Sequence, residues 1–322
     1  MHMFSLYRWL LRMCLLSALV LLSPQLSSAP LYLLIPSGPG GGWDTTAREV
    51  ARVLEGEGLV EEVVLTNLSG AGGGRALLSL IDGEQPESTL MVQSLPLLLR
   101  NLTGVFDVGF RDIHPVALMI GAHQVVVVRA EDGYSTTAEW LAAVKSDPAA
   151  HAVVGGSAQG SLDHITAVLL LRQAGLSAGD VRYAPSDAGA DALLRFKQGL
   201  GSALVTGYDQ VADELVSGEL RALGIASPEP VADIPVPTFR EQGYDVVLVN
   251  WRGFFARSGQ SQDAYAGYRE LLGQLALSEA WRVALARYGW SEFVLMGDEL
   301  EAFLEAQEEM LKDVLLSLEL IQ

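Results

Sequence analysis

"LYLLIPSGPGGGWDTTAREVARVLEG", residues 31–56, decides the fold. "LYLLIP" (31–36) is an apolar run too short for a core helix and reads as a buried strand. Small and rigid residues follow, from Pro36 to Gly42. From Thr45 to Glu55 the apolar residues Ala47, Val50, Ala51 and Leu54 recur at helical spacing. Strand, glycine-rich turn and helix therefore succeed one another. Glycine lets backbone approach a ligand closely and accepts positive φ. The helix start behind it offers unpaired N–H groups and a positive dipole end, which suit an anion.

The same pattern continues outward. "EEVVLTN" (61–67) and "STLMVQS" (88–94) read as strands flanking a second glycine-rich turn and helix, "GAGGGRALLSLI" (70–81). This βαβαβ order predicts an α/β fold with a mainly parallel sheet and helices on both faces. "QVVVVRA" (124–130) lacks polar alternation, as a strand buried on both faces does. "TTAEWLAAVKSDP" (136–148) predicts a helix with Thr137 as cap, stopped by Pro148. Residues 151–175 predict strand, Gly/Ser turn and helix. "GSALVTG", "LRALGIAS" and "DVVLVNWRGFFA" predict further strands, a proline-rich loop precedes the last, and the tail from Gln262 reads as largely helical.

The chain has 322 residues, half of them hydrophobic, which suits two lobes of one large core-forming protein. A net charge of −18 with no basic block argues against nucleic-acid binding. Residues 1–29 have the layout of a secretory signal: Arg8 and Arg12, an apolar run Met13–Leu22, then Ser27, Ser28 and Ala29. The run is shorter than the roughly 20 residues a membrane span needs. Pro30 directly after the cut site leaves an uncleaved anchor open as an alternative. Cys14 lies inside the run, so a chain cut after Ala29 has no disulfide and no thiolate.

Three turns at strand-to-helix junctions are rich in Gly or Ser: 37–44, 69–74 and 155–161. None is followed by the Lys-Ser/Thr of a phosphate loop, and Trp43 stands where a dinucleotide fingerprint needs its third glycine. No cofactor is expected. "GGSAQG" (155–160) fails the spacing of a nucleophile elbow. Asp163 and His164 are helix neighbours expected to face different ways, which makes an exported hydrolase built on Ser157 and His164 a minor alternative. His114, His123, His151 and His164 show no metal-ligand spacing. The first two read as ordinary polar residues at strand edges.

"PGGGWDTTAR" (39–48), "NLSGAGGGRAL" (67–77), "HPVALMIG" (114–121), "GGSAQGSLDHI" (155–165) and "VTGYDQVADELVSGELRALGIAS" (205–227) occur in an order that resembles a known family. "IPVPTFREQGYDVVLVNWRGFFA" (234–256) and "WRVALARYGWSEFVLMGDELEAFL" (281–304) continue the match. The chain resembles the extracytoplasmic substrate-binding receptors of tripartite tricarboxylate transporters, within the Bordetella uptake receptor superfamily. Arg182 and Thr206 depart from the residues more usual there. The resemblance implies a type II periplasmic-binding fold, with a cleft between two α/β lobes. It places one lobe at about 30–124 plus 229–322 and the other at about 125–228.

The resemblance further implies a periplasmic, monomeric, non-enzymatic receptor for a small di- or tricarboxylate such as a citrate-like acid. Its partners would be the transporter's membrane subunits, or, in the alternative, a sensor kinase. Ligand-binding positions carried over are Ser37, Gly38, Gly40, Gly41, Trp43 and Asp44 in one loop. Ser157, Ala158, Gln159, Gly160 and Ser161 form the other, and Ser94, Tyr183, Thr206 and Gly207 lie nearby. Asp44 has three readings: a helix cap for the amides of Thr46 or Ala47, a partner of Arg48, or an acceptor for a ligand group or water. Trp43 reads equally as a lid or a plug. Arg252 reads either as a counter-charge for an additional carboxylate or as half of a surface or inter-lobe salt bridge.

Overall fold

A computed structural model describes residues 30–322 except Ser157, Ala178, Val181, Asp187 and Ala188. The expected signal sequence and the expected ligand contact at Ser157 lie outside the described residues. The first unit comprises β1 (Leu31–Ile35), α1 (Gly42–Gly56), β2 (Val63–Asn67), α2 (Gly74–Ile81), β3 (Thr89–Ser94) and α3 (Pro96–Leu102). The long strand β4 (Ile113–Arg129) leads to α4 (Thr137–Ser146), β5 (Val153–Gly155), α5 (Leu162–Gln173) and β6 (Tyr183–Pro185). Then come α6 (Gly189–Lys197), β7 (Ala203–Gly207), α7 (Ala212–Ser217), β8 (Leu220–Ile225) and β9 (Val249–Arg257). The chain closes with α8 (Gln262–Leu277), α9 (Glu279–Tyr288), β10 (Ser291–Met296) and α10 (Gly297–Ser317).

The strands run in the order β2-β1-β3-β9-β4-β7-β5-β6, with β8 and β10 also paired to β4. β4 serves two sheets. Ile113–His123 pair with β9, whereas Gln124–Val127 pair with β7. Its Val125–Val128 run is fully buried, which explains the missing polar alternation. The first lobe packs α1, α8 and α9 against one sheet face, through Val50, Leu54, Leu272 and Trp281. On the other face Leu77, Leu98 and Leu311 bring in α2, α3 and α10. In the second lobe Trp140, Leu141 and Leu170 cover one face and Ala192 and Phe196 the other.

Several expectations change. The sheet is mixed rather than mainly parallel. β1–β2, β1–β3, β5–β6 and β5–β7 are parallel, but every pairing of β4 and β9 is antiparallel. For the β3–β9 and β4–β9 pairings the cause is that β4 leaves one lobe for the other and β9 returns beside it; β7, β8 and β10 pair with β4 in the same opposite sense. Thr136 is the cap of α4, in a capping box with Glu139, while Thr137 is buried and donates to the Leu223 carbonyl. The tail is interrupted by β10, whose "SEFVLM" pairs with β4. His123 lies mid-strand in β4 rather than at a strand edge, and His114 is the second residue of that strand. His114 stacks on Tyr265 at 3.6 Å. His123 is buried against Ser291, its Nε2 2.6 Å from the hydroxyl, and burial lowers its pKa to about 4.

Candidate functional site

The carboxyl ends of β1 and β3 carry the loop 36–41 and Ser94; those of β5 and β7 carry residues 156–161 and 208–210. Ligands of open α/β sheets sit at such ends. The loop before α1 is held by Asp44. Its Oδ2 accepts the Gly40 amide at 2.9 Å and Arg48 Nε at 2.8 Å. Its Oδ1 accepts Asn67 Nδ2 at 2.9 Å, and the same amide group donates to the Ser37 carbonyl at 2.9 Å. Gly40 has φ of 87°, a left-handed conformation that favours glycine. The hydrogen bond from Arg48, helped by Gly40 and Asn67 against the cost of burial, holds the Asp44 carboxyl down to about 2.

Asp44 is therefore not the helix cap. α1 begins at Gly42, with Gly41 as N-cap, so Asp44 already lies in the first turn and reaches backward. The pairing with Arg48 is realised. Gly41 supplies no side-chain cap, so the first-turn amides of Gly42, Trp43 and Asp44 have none. Gly38 to Gly42 are exposed, and Ser37 is half-buried with its hydroxyl turned locally to the Gly38 carbonyl. Trp43 donates from Nε1 to Ser94 Oγ at 2.9 Å. The ring is thus anchored at the mouth of the loop, with the Arg100 guanidinium 5.8 Å from its centroid. Arg100 also donates to the Gly72 carbonyl, joining the second glycine-rich turn to this site.

The second lobe repeats the construction. Gly160 is left-handed, with φ of 80°, and Ser161 is the N-cap of α5. The Gly160 amide donates to His164 Nδ1 at 2.9 Å, the same four-residue reach as Gly40 to Asp44. Asp163 Oδ2 accepts the Gly156 amide at 2.8 Å. Asp163 and His164 thus both turn back to one loop, instead of facing different ways. Burial pushes the Asp163 carboxyl up to about 6, against the Gly156 hydrogen bond, and lowers His164 to about 4. The His164 ring is neutral near pH 7 and free to accept at Nδ1. That commitment to a loop amide is a positioning task.

Tyr183 packs on this loop. Its ring lies 4.5 Å from that of His164 and its hydroxyl 3.5 Å from Ser161 Oγ. Gly155 leaves the space that the tyrosine occupies, since a Cβ there would collide with the ring. Thr206 is buried and donates to Gln210 Oε1 at 2.9 Å; Gly207 ends β7 beside it. A cavity of about 690 Å³ lies between the lobes. Its second-lobe wall holds Ala158, Gln159, Gly160, Ser161 and Gln210. Its first-lobe wall holds Arg100 and Asn250. The loop 37–44 does not line that cavity; it joins the site through Trp43 and Arg100. A second cavity, about 860 Å³, opens on the other side, beside Tyr208, Asp209, Tyr288 and Trp290.

Sequence reasoning missed Arg100, Asn67, Gln124, Gln210 and Asn250. Gln124 and Asn250 line the smaller cavity, and their buried side-chain oxygens have no hydrogen-bond partner. Buried acceptors of this kind call for a donor. No sequence pattern marks these residues, because each reaches the cleft through tertiary pairing. The four-residue spacing from Gly to a polar acceptor, Gly40–Asp44 and Gly160–His164, was a readable signal. Among the described residues no helix is long and apolar enough to cross a membrane.

Protein BugT of Bordetella pertussis is 25% identical over 288 residues, covering 85% of each chain. A TctC solute-binding protein from Polaromonas superposes with a TM-score of 0.76 at 22% identity, covering 90% of this chain and 99% of its own. MatC from Rhodopseudomonas palustris, solved with bound malate, gives 0.67 at 21% identity, covering 88% and 98%. These likenesses agree with the two-lobed α/β architecture expected from sequence. The family model for the tripartite tricarboxylate transporter family receptor matches residues 46–310. The chain belongs to this family of periplasmic solute-binding receptors, which are not enzymes.

Proposed function

We propose that the protein captures a small di- or tricarboxylate between its two lobes and delivers it to the membrane subunits of a tripartite transporter. The observation that carries this reading is the twin construction of the two loops. In each, a left-handed glycine precedes the helix cap, and a first-turn side chain takes up that glycine's amide. These hydrogen bonds hold Gly40 and Gly160 in place before any ligand arrives, which lowers the ordering cost to be met on binding. The uncapped amides of α1 then give charge-assisted hydrogen bonds to a carboxylate.

The crossovers at His123–Gln124 and at 226–248 act as the hinge, dividing the chain into lobes at about 30–124 plus 229–322 and 125–228. A ligand favours the closed state because it touches both lobes. The unpartnered oxygens of Gln124 and Asn250 accept from a ligand hydroxyl or from a bridging water. The bound malate of the Rhodopseudomonas protein, a hydroxylated dicarboxylate, has this combination of groups. Residues 1–29 act as the export signal, and the receptor works as a monomer.

A thermal-shift panel of mono-, di- and tricarboxylic acids tests the reading. Ligand at about 100 times Kd stabilises the native state by about 2.7 kcal/mol, so the matching acid raises Tm by several degrees. A panel with no shift at any concentration contradicts a carboxylate receptor.

A further inference from the structure

Arg252 is more than nine-tenths buried, on β9 next to Ser94 of β3. Its guanidinium lies against the first turn of α1: a Cβ on Gly42 would come within 2.6 Å of Nη2. Nη1 donates to Thr46 Oγ1 at 3.3 Å, and that hydroxyl donates onward to the Gly42 carbonyl at 2.8 Å. The Trp290 ring centroid is 5.6 Å away. Among the described residues no carboxylate lies within ion-pair distance of Arg252. Asp209 is the acidic group whose charge it feels from across the cleft.

This arrangement is costly in isolation. A guanidinium keeps its charge at any accessible pH, and a buried unpaired charge is unfavourable. The cost is raised by position, since the start of α1 is the positive end of its dipole. Two positive features converge where the first-turn amides have no side-chain cap. Arg252 itself lines neither cavity, but its neighbours reach both. Trp290 and Asp209 line the larger cavity and Asn250, two residues before Arg252, lines the smaller one. Gly42 is exposed, and its missing side chain is what lets the guanidinium reach the helix.

We propose that Arg252 and the first turn of α1 form the seat of one fully ionised acid group, so that the receptor selects its ligand by charge at this end. The inference rests on the carboxylate-receptor reading and sharpens it. An oxyanion is accepted at the seat, and the corresponding amide or ester leaves the guanidinium unpaired and is rejected. Gly42 and Thr46 are positioning residues for the guanidinium.

Calorimetry and thermal shift on wild type, Arg252→Met and Gly42→Ala test the seat, with succinate, malate and adipate, their monoamides, and sulfate as probes. Arg252→Met weakens the best dicarboxylate by about 100-fold or more and erases the preference for acid over amide. Its ligand-free Tm stays level or rises, because the substitution removes a buried charge that no described carboxylate meets within ion-pair distance. Gly42→Ala keeps the charge but displaces it, and also weakens binding. Equal affinity in wild type and Arg252→Met overturns the seat while leaving the carboxylate reading standing. So does a drop in ligand-free Tm without loss of the acid–amide preference, which marks a structural arginine. If no carboxylic acid binds but sulfate raises the wild-type Tm and fails to raise that of Arg252→Met, the seat stands and the carboxylate reading falls. If neither acids nor sulfate move the wild type, both fall.

Discussion

Asp44→Ala lowers stability by roughly 2–4 kcal/mol and weakens ligand binding at least about tenfold. The carboxylate takes three donors from three chain segments: the Gly40 amide, Arg48 and Asn67. Alanine leaves the Gly40 amide and the Asn67 side chain without that acceptor, which costs more than the bonds themselves contribute. It also releases Gly40 from its left-handed conformation, so the loop must be ordered again by each ligand. Asp44→Asn retains the shape and one acceptor oxygen but loses the charge facing Arg48, and falls between the two. Denaturant unfolding gives the stability change, and calorimetry with the strongest acid of the panel gives the affinity change. Because the carboxyl is held down to about 2, its ionisation does not alter binding at pH 4 to 8.

Gly253→Val prevents folding or costs about 3 kcal/mol or more. Gly253 sits in the middle of β9, between Gln93 of β3 and Leu118 of β4. A Cβ there would collide with the Ala117 carbonyl oxygen and lie 2.8 Å from the Leu118 Cα. Those are backbone atoms of the central strand, so no side-chain rotation relieves the contact. β4 shifts register on both sides of this point, between Pro115 and Ala117 and between Leu118 and Ile120. The glycine admits the close approach of the two crossover strands. Circular dichroism melts of the purified variant check the effect; a Tm equal to that of wild type contradicts it.

Much of this fold is legible in local patterns. Leu31–Ile35, the helix behind it and the valine run in β4 announce themselves through period and length, because each buries one defined face. What local pattern does not carry is the sense of the sheet. The antiparallel pairings join β4 to β7, β8, β9 and β10, and β3 to β9, across long stretches of chain; β9 itself returns more than a hundred residues after β4. β10 escaped for a related reason. Its residues are only half-buried, so its apolar signal merges with the amphipathic helices around it. The site divides in the same way. The glycine turns are visible as sequence, whereas Arg100, Gln124 and Asn250 reach the cleft only through packing. Asp44 shows the limit of capping rules: its type and place suit an N-cap, yet the helix starts earlier because three glycines let it.

One ligand is expected to bridge the two glycine-rich loops. Hydrogen–deuterium exchange with and without the acid that most raises Tm tests it most directly. New protection is expected in both 37–46 and 156–164, appearing together over the same ligand concentrations. Protection confined to the walls of the larger cavity around Tyr288 and Trp290, with both loops unchanged, would contradict it.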